Sequence, residues 1–91
     1  MEVRVKLYAT LRQYAPEGTK IGEAFSVELD NGTIRKLIDR IGFSEEKTRI
    51  IMVNGDQTKD LDCQLEDGDL VVIFPPVGGG ASGQVTPSLS I

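Results

Sequence analysis

Five consecutive apolar residues, Leu70-Val71-Val72-Ile73-Phe74, run straight into Pro75-Pro76 and then Val77-Gly78-Gly79-Gly80. That junction limits the folds open to this chain more than any other stretch. An unbroken apolar run of this length predicts a strand buried on both faces, and so one in the middle of a sheet. The two prolines forbid further pairing, because proline has no N–H to give to a ladder. Three glycines pack nothing and cost more backbone entropy to order than any other residue. From Pro75 onward no side chain is charged. A central strand that ends in a thin, uncharged thread predicts a segment made to be inserted somewhere.

The rest of the chain supplies a sheet around that strand. Val3, Val5, Leu7 and Ala9 alternate with Glu2, Arg4, Lys6 and Tyr8, the period-two pattern of a half-buried strand with Tyr8 pointing outward. Thr10 is placed to cap a helical turn over Leu11–Ala15, which Pro16 would end. Phe25, Val27 and Leu29 give a second strand, joined to the first as a hairpin by a long, partly helical connection. After the Asp30-Asn31-Gly32 turn, Thr33 caps a helix whose apolar residues Ile34, Leu37, Ile38 and Ile41 share one face, and Gly42 stops it. Ser44 is placed to cap a further turn. Ile50–Val53 is another strand, followed by the hairpin dipeptide Asn54-Gly55 and a brief edge strand near Thr58. Leu61 and Leu65 read as satellite core residues, and Glu66-Asp67-Gly68-Asp69 as a tight turn into the last strand. Setting that strand parallel to and beside the first satisfies its need for burial with un-knotted connections. The expected fold is α+β, a ubiquitin-like β-grasp: a mixed sheet of four to five strands on one main helix. Residues 1–77 form the domain, and 78–91 a flexible glycine-rich tail.

Composition narrows function. The chain has 91 residues and a formal charge of −4, with its cations scattered. Nucleic-acid binding needs a basic face that displaces counterions, so it is disfavoured. A net acidic surface suits a protein partner that is itself locally basic. The single cysteine, Cys63, excludes an internal disulfide, a CxxC metal or redox site and an iron–sulfur ferredoxin, and reads as a half-buried thiol. Histidine is absent, which removes the commonest general base and metal ligand. Asp67 and Asp69 are explained by an Asp-Gly turn, so no metal site and no cofactor are expected. Neither a signal peptide nor a long apolar span is visible, and the expected location is cytoplasmic.

The segments Val5–Arg12, Asn31-Gly32-Thr33, Val53-Asn54-Gly55, Leu65–Asp69 and above all Phe74–Gly80 resemble the small sulfur-carrier subunit of molybdopterin synthase. This is the MoaD family, related to the thiamine sulfur carrier ThiS, and the resemblance covers residues 2–80. It implies a non-catalytic subunit whose terminal glycine carboxylate, here at Gly80, is adenylated and converted to a thiocarboxylate that donates sulfur to a pterin precursor. Gly78 and Gly79 would give clearance behind it. Extended, Pro75–Gly80 reaches roughly 20 Å at about 3.3–3.6 Å per residue. The implied partners are an adenylating activating enzyme (MoaB-, ThiF- or E1-like) and a large MoaE-like synthase subunit. Tyr8, Phe74, Pro75, Pro76 and Val77 match the family's partner interface, with ordinary sheet packing as the plainer reading of the two aromatics.

One feature departs from that pattern. Family members end at the double glycine, whereas Gly80 here is followed by Ala81 and continues to Ile91. An amide at Gly80 offers no carboxylate to adenylate. Residues 81–91 are therefore a pro-segment removed by a processing peptidase, an addition foreign to the natural chain, or a permanent tail on a non-carrying interaction module. The first reading is preferred. Two further functions compete with it: a carrier for thiazole or tungsten-cofactor synthesis, and a ubiquitin-like modifier joined to lysines through Gly80.

Overall fold

Burial of one sheet face under one helix explains most of the architecture. The computed structural model describes residues 1–30 and 32–76. Strands β1 (Glu2–Leu7), β2 (Phe25–Glu28), β3 (Ile50–Val53), β4 (Asp56–Thr58) and β5 (Leu70–Phe74) form a single sheet in the order β2-β1-β5-β3-β4. The last strand lies at its centre, parallel to β1 and antiparallel to β3, as its apolar run requires. Helix α1 (Ile34–Ile41) supplies the cover. Val3, Val5, Val71 and Ile73 on the sheet meet Ile34 and Leu37 on the helix, all without exposed surface. The result is the mixed five-stranded, ubiquitin-like β-grasp. Among the described residues no helix is long and apolar enough to cross a membrane.

Local chemistry fixes the ends of the elements. Thr33 accepts the Lys36 N–H at 3.2 Å, and Gly42 takes the left-handed conformation at φ 115°, returning its N–H to the Ile38 carbonyl. Asn54 and Gly55, at φ 52° and 90°, make the turn that reverses β3 into β4. Arg35 on α1 donates to Asp62 at 3.0 Å and to Glu45 at 2.8 Å, tying the segments on either side of the β3–β4 hairpin to the helix. The Asp62 hydrogen bond, and then that of Glu45, raises the guanidinium further above its ordinary value.

Five expectations are corrected. The central strand is not buried on both faces: Val71 and Ile73 are buried, whereas Leu70, Val72 and Phe74 are half-buried, because the helix covers one side only. Strand β1 stops at Leu7, and Ala9 is exposed at φ 53°, bending the chain into a 3-10 helix over Ala9–Tyr14. Thr10 lies inside that helix and caps nothing; Tyr8 precedes it without a side-chain cap. Ser44 also makes no cap bond, donating instead to the Glu46 carboxylate at 3.3 Å. Finally, Leu65 is a member of the main core at 1% exposure, because its N–H donates to the Gly32 carbonyl and draws the 60s loop over the sheet.

Candidate functional site

The sheet face turned away from α1 is apolar where it should be polar. Register sets the rows across it. Ile50 lies opposite Phe74, Met52 opposite Val72, Val72 beside Lys6, and Leu70 beside Arg4. Tyr8, the residue after β1, donates its N–H to the Ile73 carbonyl at 3.3 Å, which brings its ring over Phe74. The two rings stack with centroids 4.8 Å apart and planes 13° from parallel. Both remain half-buried, and Ile50 is 37% exposed. An offset stack of this kind stiffens both side chains into one flat apolar plate.

The tail leaves the domain from the rim of that plate. Phe74 is gripped through its backbone, its carbonyl accepting the Arg49 N–H at 2.8 Å. Pro75 and Pro76 then pass between two hollows. One, of about 450 Å³, is lined by Ala9, Thr10, Arg49, Ile50 and Phe74 along with both prolines. The other, of about 350 Å³, lies toward Tyr14, Glu46 and Lys47. The left-handed Ala9 makes room for the first, since a strand continuing past Leu7 would run beside Pro75.

Of the residues singled out in the sequence, the structure brings together Tyr8, Phe74, Pro75 and Pro76. Val77, Gly78, Gly79 and Gly80 lie outside the described residues. Sequence reasoning missed Val72, Leu70, Met52, Ile50 and Arg49. A run that is apolar on both faces hides its alternation, so nothing in it marked these side chains as outward. Among the described residues there is no group of three or more His, Cys, Asp or Glu side chains able to hold a metal. Cys63 is half-buried, its thiol 3.9 Å from the Gln64 carbonyl. Asp67 and Asp69 work as turn residues: Asp67 accepts the Glu2 N–H at 2.7 Å, and Asp69 accepts from the Glu66 N–H and the Asn54 amide, each at 2.8 Å. Among the described residues the arrangement is an apolar plate on which a partner can dock, with Pro75 and Pro76 leaving from its rim.

Comparison with protein families matches residues 5–80 to the ThiS family, the match running to Gly80. The chain belongs to the ThiS family. Similar solved structures agree with that placement. Molybdopterin converting factor subunit 1, as a protein of Pyrococcus furiosus is provisionally described, is 30% identical over 85% of this chain and 99% of its own, with a TM-score of 0.60. A chain of the BexX/CysO complex of Amycolatopsis orientalis is 28% identical over 86% and 99%, with a TM-score of 0.55. Small archaeal modifier protein 1 of Haloferax volcanii, 22% identical over 84% and 98%, shares the fold with a TM-score of 0.62. A search of curated proteins finds no match. ThiS-family membership covers the whole plate and the start of the tail, so both lie within the matched region.

Proposed function

We propose that this ThiS-family chain is a sulfur carrier for molybdopterin synthesis, acting through the carboxyl of Gly80 after residues 81–91 are removed. The observation that carries the reading is the continuity of β5 with the tail. The sheet's central strand passes at Phe74 directly from the exposed plate into Pro75-Pro76. A protein seated on Tyr8, Phe74, Val72 and Ile50 therefore meets the start of the tail, Pro75-Pro76, at a fixed point beside its own surface. The Pyrococcus furiosus relative supports the molybdopterin pathway, and the Amycolatopsis orientalis complex supports a protein partner.

The chemistry follows from the terminal carboxylate. A peptidase hydrolyses the Gly80–Ala81 amide. One carboxylate oxygen then attacks the α-phosphorus of ATP, and pyrophosphate leaves. A sulfide-level nucleophile displaces AMP from the acyl carbon and leaves a thiocarboxylate. Gly78 and Gly79 supply the clearance this needs, because a backbone without side chains fits a narrow channel. Pro75 and Pro76 lower the entropy lost on insertion by stiffening its base. Val77 continues the contact with the partner. The activating enzyme supplies the catalytic groups for adenylation, and a large synthase subunit those for transfer to the pterin precursor.

Intact mass after incubation with activating enzyme, ATP and a sulfur donor tests this. A chain ending at Gly80 gains the mass difference between sulfur and oxygen, while the chain through Ile91 gains nothing. No gain on the shortened chain refutes the carrier reading. The fold shared with the archaeal modifier makes conjugation the reading to test against, since both begin with the same adenylate. Lysine conjugates through Gly80 recovered in place of the thiocarboxylate would establish a modifier instead.

A further inference from the structure

Net charge points to a locally basic partner, and the placement of the charges reverses that expectation. The plate is crossed by rows that register defines: Tyr8 and Phe74 with Ile50, then Lys6-Val72-Met52-Gln57, then Ser26-Arg4-Leu70. The only charged residues in these rows are Lys6 and Arg4. Arg49 adds a further cation at the tail base, in the hollow with Ile50 and Phe74. On this face of the sheet, carboxylates enter in the row farthest from the tail, where Glu2 faces Glu28, and beyond the sheet Glu46 is matched by Lys47 in the second hollow at the tail base. Arg4 and Arg49 are exposed and Lys6 half-buried. Among the described residues none of the three forms an ion pair; both ion pairs belong to Arg35. A chain with 14 acidic and 10 basic residues thus presents one face of cations around apolar side chains, and is net acidic over the remainder.

We infer that this face docks a protein whose apolar contact patch is rimmed by carboxylates, one group opposite Lys6 and Arg4 and another opposite Arg49. The inference rests on the carrier reading and deepens it by naming the chemistry through which a receiving enzyme recognises the carrier. An acidic partner is repelled by the net charge of the rest of the surface and attracted to this face. The charges therefore set orientation and register before the apolar plate makes contact. Orientation matters for a carrier, because a rotated encounter would leave the tail outside the channel it must enter. Cations at both ends of the Val72–Phe74 stretch define the direction of the tail as well as its position.

The full chain, isotopically labelled, is titrated by NMR with the blocked peptide Glu-Leu-Glu-Phe-Glu, with its Lys-for-Glu counterpart, and with phosphatidylglycerol vesicles. The acidic peptide shifts resonances of Lys6, Val72, Phe74, Arg49 and Ile50, and its affinity falls as salt rises from about 50 to 500 mM. Lys6→Glu and Arg49→Glu each weaken it about tenfold, as expected when an attraction of rim charges becomes a repulsion. Lys36→Glu, on α1, leaves it unchanged. Equal binding of the basic peptide, shifts centred on Lys36 and Arg40, or capture by vesicles without peptide binding would each overturn the inference. The activating enzyme is then titrated with the same variants. Indifference of that complex to Lys6→Glu and Arg49→Glu overturns the inference as well. Failure of the enzyme to bind the unaltered chain counts instead against the carrier reading, and the peptide titration still decides the face.

Discussion

The Tyr8–Phe74 stack separates a docking plate from ordinary sheet packing, because the two roles carry different energies. Phe74→Ala removes an offset stack worth about 0.5–1.5 kcal/mol and roughly half of the 1.5–3 kcal/mol that full burial of a large apolar side chain provides. The expected loss of stability is about 2 kcal/mol. At 4–8 °C per kcal/mol for a domain of this size, the midpoint falls by about 10 °C. Tyr8→Ala loses the same stack and about as much burial. The double variant therefore falls short of the sum of the singles by the shared term, about 1 kcal/mol, while Tyr8→Phe keeps the stack and most of the stability. Urea unfolding of the four chains measures this coupling. Binding to the activating enzyme, measured well below every midpoint, supplies the second axis. If the pair anchors the partner, each alanine weakens the complex by 2 kcal/mol or more, about 30-fold, as aromatic hot spots do. Additive stability effects would show that the stack contributes nothing. Coupled stability with unchanged enzyme binding would refute the docking role and leave sheet packing as the whole explanation.

Further perturbations follow from Asn54, Ala9 and the pair Val71 and Val72. Asn54 bridges β3 to β5, its amide donating to Asp69 at 2.8 Å and its side-chain oxygen accepting the Leu70 N–H at 2.9 Å. Asn54→Gly retains the left-handed turn but loses both bonds, so urea unfolding registers a loss of about 1–2 kcal/mol. Ala9, at φ 53°, sits where glycine is favoured, and Ala9→Gly raises the midpoint slightly. The relief of about 1–2 kcal/mol outweighs the 0.5–1 kcal/mol entropic cost of glycine, and Ala9→Val, which is β-branched, lowers the midpoint. The neighbours Val71 and Val72 give the sharpest contrast, since one has no exposed surface and the other is half-buried. Val71→Thr buries a hydroxyl without a partner and costs about 1–3 kcal/mol of stability. Val72→Thr changes stability by less than about 0.5 kcal/mol yet weakens docking, so equal thermal shifts for the two would contradict the one-sided burial of β5.

Those neighbouring valines explain how much of the molecule was legible beforehand. The element order and the central, parallel place of β5 were readable because Pro75-Pro76 ends a strand that the first strand must flank. Thr33 and Gly42 were readable as caps because each acts on residues within one helical turn. Thr10 and Ser44 were misread: Tyr8 and Ala9 redirect the chain before Thr10 can act, and the Ser44 hydroxyl finds a carboxylate nearer than a backbone N–H. Leu65 was underestimated because its burial depends on Gly32, far away in the sequence. The error over β5 has a deeper cause. A strand with one face in the core and the other on a partner is apolar throughout, since both faces lose water, one during folding and the other during association. Hydrophobic pattern records that both faces become dry but not which event dries them. Helix α1, which covers one face of the sheet, assigns Val71 and Ile73 to folding. Leu70, Val72 and Phe74 are left with an exposure that an isolated domain would not favour, and the tail that leaves from Phe74 gives that exposure its use.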